Sequence, residues 1–389
     1  MRRDNNSLAL LLSLAARVRV RACVTFLLLT PTGRIFPAPF APPVDVLKEI
    51  ADCHPVVPVL LKHRKISKLK STYISPLVAF AVPVEGEESL KRIHPMWQQQ
   101  RTRTGRLSCI KPNLQNVPNE AIFSYLHPRD AFVSGRESTL FSCDYSQIEI
   151  RLLAHFTKDK NLIAAFRSSE ADVYKVMSMH ITGKKSADEV TSSERKCAKQ
   201  IVLAVVYGMG IPQVAKKLGV SHSIARSFFD KFFGKFASVR AWMAQVKRFA
   251  VTNGYVLTIT QRRRHLPNIT SKVQADRAQA ERQAVNSVIQ GSAADVMKLG
   301  MLNVASSLEE WAGGSDADAR SCPKMIMQIH DEVVFDVRNV DRDVQRLKRI
   351  CEKCLGASVE KDLGIVVPLL MSCKVGKSWG NAMVDFVDD

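Results

Sequence analysis

DYSQIEIR, residues 144–151, is the stretch from which the rest of the chain can be read. Leu140-Phe141-Ser142-Cys143 before it is apolar and strand-sized, while Gln147, Ile148, Ile150, Arg151, Leu152, Leu153 and His155 repeat at helical spacing. Asp144 therefore stands where a strand ends and a helix is about to begin. A carboxylate held there by rigid elements is placed to hold a hard divalent cation in a cleft. The plain alternative is a helix N-cap or a surface acid.

A second acid-bearing stretch, QIHDEVVFDV at 328–337, gives Asp144 a partner. Met325-Ile326-Met327 and Val333-Val334-Phe335 flank His330, Asp331 and Glu332, which describes two strands meeting at a hairpin tip. Adjacent acids repel unless a cation or a basic group neutralises them, so the tip is a metal site or a strained turn. Asp144 and Asp331 together could bridge two Mg²⁺ ions in phosphoryl transfer.

Thr191-Ser-Ser-Glu194 reads as a capping box opening a helix from Thr191 to Tyr207. Along it Arg195, Lys199, Leu203 and Tyr207 fall at steps of four, on one face. Two cations, an aliphatic side chain and a ring suit a nucleoside triphosphate, although the same cation spacing also occurs on solvated helices. Ile201, Val202, Val205 and Val206 form the core face. Further on, Arg282, Asn286 and Gln290 step by four, and Gly291, Ser292, Ala293 and Ala294 permit close backbone approach. Upstream, Arg106, Asn113 and Gln115 lie on an irregular segment. These polar groups suit a minor-groove edge; equally, amides cap turns, and for Asn113 both readings stand.

At 389 residues and 46% hydrophobic, the chain can bury a large core in more than one lobe. Its net charge of +19 favours a polyanionic partner, nucleic acid first, with basic clusters at 62–70, 101–106 and 262–265. The nine cysteines lack the close, even spacing of a disulfide framework, and Cys351 and Cys354 read as two structural thiols. The first 43 residues are arginine-rich and acid-poor, with no apolar run long enough for a membrane span. They read as an untypical start, a mitochondrial transit peptide or a signal-peptide core. Two short amphipathic helices separated by Pro55 and Pro58 follow at 44–73. Residues 79–150 read as strands and turns, 156–265 as mostly helical, 274–308 as one long helix and 324–337 as two strands. Residues 340–355 read as helix and 366–374 as a last strand.

Taken in order, TGRLS and PNLQNVP within 104–118, DYSQIEIR at 144–151, RKCAKQIVLAVVYG at 195–208, QRRRHLP at 261–267, AERQAVNSVIQGSAAD at 280–295 and QIHDEVVFD at 328–336 resemble the family A DNA polymerases. KVGKSWG at 374–380 matches the usual family ending, and the resemblance spans residues 44–385. Within the family, HPMWQQQ at 94–100 and AVVYG at 204–208 look most like the animal branch of polymerases nu and theta. The resemblance implies an α+β, right-hand fold with an antiparallel-sheet palm, helical fingers and a truncated helical thumb. It assigns 44–75 to a thumb remnant, 76–155 and 274–389 to the palm, and 156–273 to the fingers.

The resemblance also implies roles for single residues. Asp144 and Asp331 become the metal-binding acids for two Mg²⁺, with Mn²⁺ as a substitute, Glu332 beside them and the Tyr145 carbonyl as a further ligand. Arg195 and Lys199 hold the triphosphate, with Lys199 as proton donor to the leaving pyrophosphate. Gln147, Leu203 and Tyr207 line the nucleotide site, and Glu149 is the steric gate against a ribose 2′-OH. Arg106, Asn113, Gln115, Arg282, Asn286, Gln290 and His330 contact primer and template. The implied function is template-directed DNA synthesis from dNTPs in repair or lesion bypass, by a monomer, distributively and without proofreading. The expected location is the nucleus, with the mitochondrion as the alternative. Two departures qualify the match: Leu203 replaces an aromatic residue, and the thumb is short. They leave open a catalytically weak, DNA-binding chain as the alternative function.

Overall fold

The computed structural model describes residues 43–119, 127–167, 172–313, 322–338, 340–380 and 383–386; the readings of residues 1–42 lie outside them. Contacts divide the chain between His94 and Pro95. In the first unit, helices Val44–Glu49 and Val56–Leu69 lead through a wider turn, Lys70–Ile74, to Ser75–Ala79. Pro58 does not separate the two helices. It sits in the first turn of the second, where its missing N–H breaks no bond. The antiparallel hairpin of Ala81–Val84 and Glu87–Ile93 belongs to this unit too.

The second unit is organised on a five-stranded antiparallel sheet. Its strands are β1 (Ser138–Tyr145), β2 (Lys324–Ile329), β3 (Glu332–Arg338), β4 (Met371–Gly376) and β5 (Val384–Asp385), in the order β5-β4-β1-β3-β2. Asp144 pairs with Glu332 on one side and Ser372 on the other. Because side chains alternate along a strand, Ser142, Asp144 and Glu332 share the front face, while Phe141, Cys143, Phe335 and Cys373 share the rear. The rear face is core: Phe141 packs on Phe335 with centroids 6.2 Å apart, and Cys143 and Cys373 sulfurs lie 3.8 Å apart. Cys351 and Cys354 are buried on this side, as structural thiols would be.

The last main strand starts at Met371, not 366, because side chains claim the backbone before it. Val366 donates its N–H to His155, Arg151 binds the Pro368 carbonyl, and Glu360 accepts the Leu369 N–H; Pro368 itself has no N–H to pair. The 340–355 helix is Asp341–Cys351, prolonged by a wider turn, Glu352–Ala357, into Ser358–Leu363.

Three helices pack around the sheet: α1 (Ile148–Thr157), α2 (Ser192–Val206) and α3 (Gln274–Ala312), whose Gly300 meets Leu355 and the Tyr145 hydroxyl at the rear. The small residues of α3 serve close packing. A Cβ on Gly291 would stand 2.6 Å from Thr258 Cγ2, in the hairpin of Tyr255–Leu257 and Arg263–His265. Thr258 is buried and β-branched, so it gives way poorly. Gly291→Ala is therefore expected to destabilise by about 1–3 kcal/mol and lower Tm by a few degrees, read by thermal melting. Arg262, from the basic cluster 262–265, is committed to this joint. Its guanidinium bonds Asp295 at 2.9 and 3.0 Å, the Thr104 carbonyl at 2.7 Å and the Gly291 carbonyl at 3.2 Å. No helix among the described residues is long and apolar enough to cross a membrane.

Candidate active site

The two strand-end acids are brought together by backbone. The turn His330-Asp331 joins β2 to β3, with His330 at φ 55°, and the Tyr145 N–H donates to the Asp331 carbonyl at 3.1 Å. That bond staples the tip carrying Asp331 to the strand end carrying Asp144. The N-cap of α1 is Gln147, in the left-handed region at φ 59°, so Asp144 caps no helix. The Tyr145 ring faces the rear core, donating its hydroxyl to the Leu355 carbonyl at 2.7 Å.

The electrostatics fit acids that await a cation. The Asp144 carboxyl is pushed up to about 7, first by lost solvation, then by repulsion from Glu332 and Asp331. Burial raises the Asp331 carboxyl as well, with Arg106 opposing. Glu332 is more constrained than a free ligand. Ser142 and, at 3.2 Å, the Trp379 indole donate to it, and Arg129, stacked 3.9 Å over Trp379, stands 3.6 Å away. Arg129 and Trp379 were not singled out in the sequence as site residues. Among the described residues no three His, Cys, Asp or Glu side chains converge as a metal cage. Two carboxylates without a cage suit Mg²⁺, which keeps waters and takes substrate phosphates as its other ligands.

Beside the acids lies a cleft of about 330 Å³ lined by Arg106, Gln147, Glu149, Tyr174, Leu203, Tyr207, His330 and Asp331. Glu149 is buried in its wall and clamped from two sides, by Arg106 at 2.8 Å and the Tyr207 hydroxyl at 3.0 Å. Arg106 also stands 3.6 Å from Asp331, linking Glu149 to the acids. Gln290, of the α3 stripe, lies beside Glu149 and Tyr207.

The capping box of α2 forms as read: Thr191 Oγ1 accepts the Glu194 N–H, and Glu194 accepts the Thr191 N–H at 2.8 Å. Leu203 and Tyr207 reach the cleft. Arg195 and Lys199 stand farther along, each 5.6 Å from the Tyr174 ring, and Arg195 is paired with Asp172 at 2.5 Å. Asp172 caps helix Val173–Thr182, accepting the Tyr174 N–H at 2.9 Å. Tyr174 is the cleft residue that sequence reading missed; its only signal is a capping Asp two residues earlier. Burial, with Asp172 and Glu149 nearby, raises its hydroxyl to about 12, so it stays a neutral donor.

The remaining DNA-facing candidates divide. Asn113 Oδ1 accepts the Gln115 N–H at 3.1 Å, so Asn113 caps the short turn Leu114–Asn116, which is the second of its two readings. Gln115 donates to the Gln328 carbonyl and side chain, both at 3.1 Å, and Gln328 holds the His330 carbonyl at 2.5 Å; this chain braces the acid-bearing turn. Arg282 is exposed on α3, packed against Gly208, and Asn286 Oδ1 is buried without a partner among the described residues. His330 is exposed, its imidazole lowered by lost solvation and by Arg106.

An acid pair at the strand ends of an antiparallel sheet, beside a cleft walled by Glu149 and Arg106, defines a polymerase palm. The family model for DNA polymerase family A matches residues 40–381, and the chain belongs to that family. It is 35% identical over 352 residues to DNA polymerase I of Lactococcus lactis subsp. cremoris, covering 90% of this chain and 38% of that protein. It is 37% identical over 339 residues to DNA polymerase I of Bacillus subtilis, covering 87% and 36%. The solved POL domain of Pol1 from M. smegmatis, in complex with DNA primer-template and dNTP, superposes with a TM-score of 0.75 at 32% identity, covering 91% of this chain and 57% of that one. The chain thus spans well under half the length of these curated relatives.

Proposed function

We propose that the chain is a template-directed DNA polymerase that joins a dNTP to a primer 3′-OH with release of pyrophosphate. The observation that carries this reading is the stapling of Asp331 beside Asp144 next to the Glu149 cleft. Asp144 and Asp331, with the Tyr145 carbonyl, are the groups that would hold two Mg²⁺ or Mn²⁺ ions. Those ions, when bound, stabilise charge on the attacking and leaving oxygens. The chain's own groups do the rest. Arg195 and Lys199 orient the triphosphate against Tyr174, and Lys199 gives its proton to the departing pyrophosphate. Leu203 and Tyr207 pack against the nucleotide, and clamped Glu149 leaves no room for a 2′-OH. Arg282 and Asn286 follow the duplex.

The chain is kin to the animal polymerases nu and theta and works in repair or lesion bypass as a monomer, synthesising distributively and without editing by residues 43–386, in the nucleus or the mitochondrion. The competing reading, a DNA-binding chain with little catalysis, draws on Leu203 and on the Arg195–Asp172 pair. A gel shift with a 3′-dideoxy primer-template separates them. Under catalysis, only the dNTP complementary to the template base stabilises the complex; stabilisation by none of the four, or equally by all, contradicts it.

Leu203→Tyr would place a ring in the cleft, where ring packing adds about 0.5–1.5 kcal/mol. The expected result is a dNTP KM lower by roughly two- to tenfold and altered use of dideoxy terminators. Steady-state kinetics showing neither change would contradict the role of position 203.

A further inference from the structure

Helix Asp341–Cys351 covers the rear of the sheet. Val344, Leu347 and Cys351 point inward and are buried, and Cys351 meets Cys143, whose side chain leaves β1 on the face opposite Asp144. Its outer surface is thus separated from the cleft by the thickness of the sheet. On that surface Arg342, Arg346, Arg349 and Lys353 are all exposed, at steps of four, three and four, and with Ile350 they line one depression of about 360 Å³. None of the four forms an ion pair among the described residues; the nearby acid Glu352 goes to Lys348, at 3.9 Å, off the stripe. Arg346 lies 4.0 Å over the Trp311 ring, which fixes one guanidinium in place. Like charges at this spacing repel, so the stripe is a standing cost unless an anion neutralises it.

We propose that this stripe is a second nucleic-acid contact, gripping the phosphates of a DNA strand behind the palm, independently of the acid-lined cleft. Three of the four cations are arginines, whose planar forks match phosphate. At 1.5 Å per residue the stripe runs for roughly 16 Å, the length of four or five phosphates on one duplex strand. Among the described residues Ile350 is the one aliphatic side chain lining the depression, the other four being cations, which favours a phosphate strand over the apolar anchors on which protein partners rely.

The test is a triple variant, Arg342→Gln, Arg349→Gln and Lys353→Gln, which leaves Arg346 on Trp311. Binding of a blunt DNA duplex is followed by anisotropy from about 50 to 200 mM salt. The slope of log K against log salt is expected to be shallower by about 2.7 in the variant, for three lost phosphate contacts. Two-to-one DNA stoichiometry is expected to fall to one-to-one, with incorporation on saturating primer-template unchanged. Arg342→Lys with Arg349→Lys keeps the charge and should keep the slope, which separates lost contacts from a disturbed fold. An unchanged slope in the triple variant overturns the proposal. A larger loss of polyglutamate binding than of DNA binding overturns it in favour of an acidic protein partner. The readout is binding, so a chain that fails to extend primers still tests the stripe.

Discussion

Asp331→Asn and Asp144→Asn are each expected to lower single-nucleotide incorporation by on the order of 10²–10³ or more, with primer-template affinity nearly unchanged. Both acids sit at the tip of a sheet, and the groups proposed to follow the duplex, Arg282 and Asn286, lie elsewhere on α3, so removing one charge should spare binding. Loss of binding in proportion to activity would make the acids structural. Stability gives an independent check. In the metal-free protein the Asp144 carboxyl is raised to about 7, above its unfolded value, so the folded state binds the extra proton. Its contribution to stability is complete below the unfolded value near 4 and is lost as pH rises toward 7. Asp144→Asn abolishes that loss. In EDTA, the variant should melt higher than the parent at pH 8, with the difference vanishing near pH 4. A variant that melts lower at pH 8 would contradict the crowding of acids.

Glu149→Ala is expected to cost discrimination between sugars. Removing the side chain opens the cleft wall where a 2′-OH would lie, and the ratio of kcat/KM for dNTP over NTP should fall by roughly 10–100-fold. It also strips Arg106 of its 2.8 Å partner and leaves it 3.6 Å from Asp331. The freed guanidinium can then pair with Asp331, so dNTP incorporation itself should slow by about tenfold, the effect of 1.4 kcal/mol. Glu149→Gln keeps the volume and a bond to Tyr207, and should preserve discrimination better than Ala. Equal discrimination in parent and Ala variant would remove the gate from Glu149.

What was legible in the sequence is what local chemistry specifies. The strand before Asp144, the hairpin tip at Asp331 and the capping box at Thr191 each depend on residues a few positions apart, and each forms. What was not legible depends on distant partners. Arg262 reads as one more basic residue until Thr104 and Asp295 claim it. Tyr174 enters the cleft because α2 and the helix from Val173 pack together, which no spacing in either helix announces. The basic stripe at Arg342–Lys353 escaped notice because its charges come every third or fourth residue and form no run.

Template-directed, metal-dependent synthesis is tested by extending a labelled primer on four templates differing in the first templating base, one dNTP at a time, with Mg²⁺ or EDTA. One added nucleotide is expected only where dNTP and template base are complementary, only with Mg²⁺, and none with Asp331→Asn. A wild-type chain that binds the primer-template yet adds nothing, or adds nucleotides regardless of the template base, would contradict it.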